Sequence, residues 1–167
     1  MTYTREQITE IDNQVFEIAS KIIESGEEHR PMVFCFPEPE TTARPIVVDV
    51  SPFMQNDRAK DVLGALLKKL AAEFELVCLV AEAWAVILDN RMQEAAGLDL
   101  ATVRPSQHPS RIEVLTVSYT IKDRAPVSVH HRIINEAGKR SLKRGDLTWD
   151  AIVEGRFVPS TTPQTRH

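Results

Sequence analysis

Glycine is scarce in this chain, with six residues in 167. A backbone with so few positions lacking a Cβ has few places for close approach to a pyrophosphate. Neither Gly-x-Gly-x-x-Gly nor Gly-x-x-x-x-Gly-Lys-Ser/Thr occurs, so the two common phosphate-cradling loops are excluded. Gly-x-Ser-x-Gly, His-Glu-x-x-His and Cys-x-x-Cys are missing as well. Their absence removes the nucleophile elbow, the helical zinc-protease site and the dithiol redox site. No cofactor is expected.

Cysteine is rarer still, with two residues. Cys35 and Cys78 each sit inside an apolar run, where a thiol acts as a small buried hydrophobe. A bridge between them would need neighbouring strands. The start of the chain, Met1 to Glu6, has no apolar core of export-signal type, which favours reduced thiols. No apolar run reaches membrane-spanning length, and the longest, near Leu76–Leu88, contains Glu82. The expectation is a cytoplasmic protein with no membrane partner.

Positive charge is not in excess either. The formal net charge is -4, so the chain is no general polyanion binder. Lys139, Arg140, Lys143 and Arg144 form a local basic stretch, but it lacks the interleaved aromatics of a base-stacking surface. Nucleic acid is therefore not expected as a partner.

What is present reads as one domain of mixed α+β (α/β) class. The length suits a single core without metal or disulfide support. The globular part is placed at 1–158. Residues 138–158 are read as a basic and aromatic C-terminal extension docked on it, and 159–167 as a disordered tail. Ile8, Ile11, Val15, Ile18 and Ile22 follow helical steps over Arg5 to Glu24, with a Thr4/Gln7 capping box and a Ser25-Gly26 stop. Met32–Phe36 and Ile46–Val50 read as strands divided by Pro37 and Pro39. A long helix follows from Asn56 or Asp57, with Ala59, Val62, Leu63, Leu66, Leu67, Leu70, Ala71 and Phe74 on one face. Leu76–Leu88 reads as a strand, which makes a β-α-β candidate with Ile46–Val50. Residues 89–110 are irregular. Arg111–Ile121 and Val127–Ile134 alternate in character and read as a hairpin. The expected architecture is a helix, then β-β-α-β, a long loop and β-β, with a mixed sheet of about five strands under the long helix.

Candidate site residues fall into three groups. Asp49 and Glu82 are carboxylates in apolar strands, where an unpaired charge is costly. With His131 they could surround a divalent cation, as in a small metal-dependent hydrolase or nuclease-like enzyme. The plainer reading makes His131 a core histidine, Asp49 a loop cap, and Glu82 a partner of Arg111 or Arg132. The second group, His108, Arg111 and Glu113, joins the irregular stretch to a strand and gathers an imidazole, a guanidinium and a carboxylate. An Arg111–Glu113 salt bridge along one strand face is its plain alternative. The third is the polar side of the hairpin, with Thr116, Ser118, Thr120, Ser128, His130 and Arg132, suited to hydrogen bonding with a partner. Trp84 and Trp149 are read as core or interface anchors. Together these point to a non-catalytic binding or assembly protein, a homodimer through its narrow-striped first helix, with a further protein partner on the polar face.

Overall fold

The structure, a computed structural model, describes residues 2–85 and 111–149. Among these residues it is a mixed α+β fold with two α-helices and one six-stranded sheet. Strand readings beyond Ala85, the irregular stretch 89–110 and the tail at 159–167 lie outside the described residues.

Helix α1 spans Arg5–Glu24. Its capping box is complete. The Gln7 N–H donates to Thr4 Oγ1 at 3.2 Å, and the Thr4 N–H donates to Gln7 Oε1 at 2.9 Å. Gly26, at φ +84°, takes the left-handed conformation after the helix end. Strand β1 (Met32–Phe36) and strand β2 (Ile46–Asp49) follow. A 3₁₀ turn over Ser51–Met54 leads into α2 (Asp57–Glu73), whose first turn is capped by Asn56 Oδ1 accepting from the Ala59 N–H at 2.8 Å. Strands β3 (Leu76–Ala85), β4 (Ile112–Ile121), β5 (Val127–Glu136) and β6 (Lys139–Lys143) complete the sheet.

The strand order is β2-β1-β3-β4-β5-β6, and every neighbouring pair is antiparallel. The sheet thus has six strands, not five, and it is not mixed in its pairings. The β2-α2-β3 unit exists, but β1 lies between its two strands. The sixth strand is the basic start of the segment read as a C-terminal extension. A two-residue connection, Ala137-Gly138, folds it back onto β5, with Glu136 opposite Lys139. Both connecting residues have positive φ, 50° and 75°, as a type I′ hairpin turn requires.

Side chains alternate across the sheet and build two cores. On one face, Leu76, Cys78, Val80, Leu115, Val117, Tyr119, Val129 and Ile133 meet Ile8, Ala19 and Ile23 of α1. On the other, Val33, Cys35, Val77 and Leu79 meet Leu63 and Leu67 of α2. Burying a leucine fully contributes roughly 2 kcal/mol, so α2 is held mainly by this line of contacts. Cys35 and Cys78 lie on adjacent strands but on opposite faces, and both are free thiols. The bridge that adjacent strands would permit is therefore excluded by parity.

Helix α1 sits rotated from the stripe its isoleucines suggest. Its buried residues are Ile8, Asp12, Ala19 and Ile23, while Ile18 is 60% exposed. Ile11 and Val15 of that stripe still pack against the core, and Asp12, in the middle of the buried line, is met there by the Tyr119 hydroxyl.

Candidate functional site

Two polar clusters lie on the α1 face of the sheet. The first surrounds Asp12, which is 1% exposed. The Tyr119 hydroxyl donates to Asp12 Oδ1 at 2.7 Å, and Arg144 Nη2 lies 3.4 Å from Oδ2. Arg144 also donates to Asn13 Oδ1, and its guanidinium lies 5.1 Å above the Phe16 ring. His131, fully buried, closes the group. Its Nδ1 accepts from the Gly145 N–H at 3.0 Å, which leaves the ring proton on Nε2. Nε2 has no hydrogen-bond partner among the described residues, and Asp12 Oδ1 is 3.9 Å away. Burial, then the charges around Cys78 and Asp12, push the Tyr119 hydroxyl far above its ordinary pKa. Burial, then Asp12, does the same to the Cys78 thiol.

Gly145 makes this arrangement achievable. A Cβ there would stand 2.2 Å from the His130 carbonyl oxygen. Only glycine lets the chain leaving β6 press against β5 and aim its N–H at His131. Beyond this contact Thr148 bridges back to Ser128.

The second cluster lies past the C-terminal end of α1, in a cleft of about 340 Å³ lined by Glu28, Glu82, Ala83, Trp84, Glu113 and Arg140. Arg140 Nη2 donates to Glu82 Oε1 at 3.0 Å and to Glu113 Oε1 at 2.9 Å. Its Nη1 donates to the Glu27 carbonyl at 3.2 Å. Asn135 Nδ2 donates to Glu113 Oε2, and the His29 N–H donates to Glu82 Oε1. Burial works against the Arg140 charge, but hydrogen bonds and attraction from Glu82 and Glu113 hold its pKa above the usual value. Both carboxylates are thus spent on one cation contributed by β6.

The residues singled out from sequence are distributed as follows. Glu82, Leu115 and His131 are directly opposite one another on β3, β4 and β5. Leu115 separates Glu82 from His131 by two strand spacings, roughly 10 Å. Asp49 is at the far end of edge strand β2. There it accepts from the Ser51 N–H at 2.9 Å and lies 3.5 Å from Arg30. The Ser51 hydroxyl and N–H, with a smaller share from Arg30, hold its carboxyl below the usual range. The structure therefore does not bring Asp49, Glu82 and His131 together. Among the described residues, no group of three or more His, Cys, Asp or Glu is placed to hold a metal ion.

Glu82 pairs with Arg140, not with Arg111 or Arg132. The Arg111–Glu113 bridge is replaced by two separate contacts. Glu113 turns to Arg140, and the Arg111 guanidinium stacks 4.9 Å above Trp84. His108 lies outside the described residues. On the α2 side, Thr116 pairs with His130 and Ser118 with Ser128, while Arg132 lies opposite Val114. Thr116 Oγ1 and His130 Nδ1 are 3.1 Å apart. Thr120 and Ser128 of the same face are buried, so the open polar surface reduces to Thr116, Ser118, His130 and Arg132.

The sequence reading missed Asp12, Arg140, Arg144 and Gly145 as members of these clusters. The spacing of Ile8, Asp12, Ala19 and Ile23 is itself helical and carries Asp12 on one line with the core. Arg140 and Arg144 act across more than a hundred residues from α1 and its exit, which no local pattern reveals.

No family model, no curated protein and no solved structure matches the chain.

Proposed function

We propose that this chain is a non-catalytic binding and assembly protein that acts as a homodimer. The observation that carries the reading is the exposed apolar surface around one sheet edge. Ile46 and Val47 project from opposite faces of β2 and are 55% and 49% exposed. Apolar side chains grouped at an edge mark an association surface. The polar clusters support the same reading. Asp12, Glu82 and Glu113 each hydrogen-bond to a group of the chain itself, an arrangement suited to fixing a scaffold.

In this reading the polar hairpin surface, with Ser118, His130 and Arg132, is left for a protein partner. The free, buried thiols Cys35 and Cys78 suit a reducing compartment such as the cytoplasm. Sedimentation at micromolar concentration tests the proposal. Two copies per particle are expected, and a monomer throughout that range overturns it.

A further inference from the structure

The two edges of the sheet are built differently. Edge strand β6 reads Lys-Arg-Ser-Leu-Lys and carries cations that discourage strand addition. Edge strand β2 reads Ile-Val-Val-Asp, with three apolar residues in succession. Among the described residues no strand lies beyond it.

The ladder also says which backbone groups β2 presents outward. The Val50 N–H donates to the Pro31 carbonyl at 2.9 Å, next to the Met32–Asp49 pair. Bonding alternates along an antiparallel pair. Val48 and Ile46 therefore aim their N–H and C=O groups at β1, and Val47 and Asp49 aim theirs at the free edge. Pro45, which has no N–H, stands at the next outward position, where it costs the β1–β2 ladder nothing.

We infer that a second copy of this chain pairs its β2 antiparallel to this β2, so that two six-stranded sheets become one across a two-fold axis. The inference rests on the homodimer reading and names its interface. Outward groups select the register. Val47 of each copy exchanges both hydrogen bonds with Asp49 of the other, and the two Val48 residues meet on the axis. This gives four backbone hydrogen bonds. Self-pairing of β6 would instead set Lys139 and Lys143 among like charges.

A strand pair alone is too small for a stable dimer, which buries roughly 1,200–2,000 Å². Apolar side chains on both faces extend it. On the α1 face, Phe16 packs on His131 and lies beneath Arg144. That turns the opposite flank of α1, with the exposed Ile18, away from β6, and leaves Val47 as the exposed apolar residue of β2 on this face. On the α2 face lie Ile46 and the exposed Val62.

The experiment measures the mass of the full chain by sedimentation equilibrium, with circular dichroism confirming fold. Val47→Lys adds a charge at a half-exposed position. Val47→Pro removes an outward N–H and none of the donors that bond to β1. Each is expected to weaken dimerisation by about a hundredfold. Val48→Cys supplies an independent readout, because the native thiols are buried. It is expected to give a disulfide-linked dimer on mild oxidation, whereas Lys143→Cys is not. A monomeric wild type overturns both the interface and the homodimer reading. A dimer that survives both Val47 variants and is not cross-linked through Val48→Cys overturns the interface alone. So does dissociation by Ile18→Lys without any effect at Val47, or growth into open-ended oligomers, which would mean β2 pairing with β6.

Discussion

The Tyr119 hydroxyl on β4 donates a 2.7 Å hydrogen bond to the Asp12 carboxylate on α1, and both side chains are buried. This bond joins helix to sheet at the centre of the larger core, 107 residues apart in sequence. Tyr119→Phe keeps the ring and deletes the donor. It leaves Oδ1 facing only His131 Nε2, which is beyond hydrogen-bond range. Stripping a donor from a buried carboxylate costs about 1–3 kcal/mol. Urea denaturation should show a fall of that size with an unchanged slope. A change below about 0.5 kcal/mol would mean that Arg144 alone satisfies Asp12.

Arg140 holds Glu82 and Glu113 together, with side-chain exposures of 19%, 13% and 25% for the three. Water reaches the cluster, so the figure for a fully buried pair must be reduced. Arg140→Met is expected to cost about 2 kcal/mol, because two carboxylates then face each other without a cation. Adding Glu82→Gln and Glu113→Gln should recover most of that loss. Stability of the single, double and triple variants measures the coupling directly. Additive losses would show that the three groups do not act as a unit.

Much of the architecture was legible because local chemistry agreed with it. The Thr4/Gln7 box, the Asn56 cap and the alternation in β4 and β5 all mark their elements without tertiary help. The site was less legible, for physical reasons. Asp12 was passed over because hydropathy scores an aspartate as solvent-facing, and only Tyr119 and Arg144, far along the chain, reverse that. Of the five-residue apolar stripe, Ile8 is buried and Ile11 and Val15 pack on the core, but Ile18 is exposed, and Asp12 lies on the buried line instead. Glu82 was rightly seen to need a cation, but the cation came from β6. That strand was hidden because Ala137-Gly138 is an unusual sequence for a tight hairpin and the strand itself is rich in Lys and Arg. Asp49, Glu82 and His131 are kept apart by strand order, with Asp49 on edge strand β2 and a whole strand between the other two. Glu82 and His131 do share a face, with Leu115 set between them.

His130 should report acid sensitivity. Burial, and then the neighbouring His131, hold its pKa below the ordinary 6.5. The unfolded chain therefore takes up this proton first as pH falls. Its contribution to stability is complete above pH 6.5. It declines as pH drops below that value and levels off once the folded state is also protonated. An NMR titration should place the His130 inflection below that of an unfolded control. Urea midpoints of His130→Gln should fall less steeply than wild type in the same window. Parallel pH profiles for the two proteins would show that His130 is not the group responsible.

Gly145→Ala tests the close approach of the final described segment to β5. The added Cβ, 2.2 Å from a backbone oxygen, forces the segment away. His131 then loses its Gly145 donor, leaving both ring nitrogens without hydrogen bonds. Overpacking and an unsatisfied buried ring together predict a loss of about 2–4 kcal/mol. A shift of the His131 ring resonances should accompany the lower urea midpoint. Stability within about 0.5 kcal/mol of wild type would mean that the chain swings outward freely and does not anchor His131.

The β5–β6 turn offers a gain in stability, not a loss. Ala137 is held at φ +50°, a left-handed conformation that costs a residue with a Cβ roughly 1 kcal/mol. Asparagine tolerates that region and is favoured at this turn position. Ala137→Asn should therefore raise stability by about 1 kcal/mol, which for a domain of this size is roughly 2–4 °C in melting temperature. Gly138, at φ +75°, supplies the counter-test, since a Cβ there would meet nothing within 4 Å. Gly138→Ala should lower stability by about 1 kcal/mol through backbone strain alone. Calorimetry on the two variants should thus show shifts of opposite sign. Shifts of the same sign would mean that the turn relaxes from its left-handed geometry, and Arg140 would then lose the hairpin that carries it to Glu82 and Glu113.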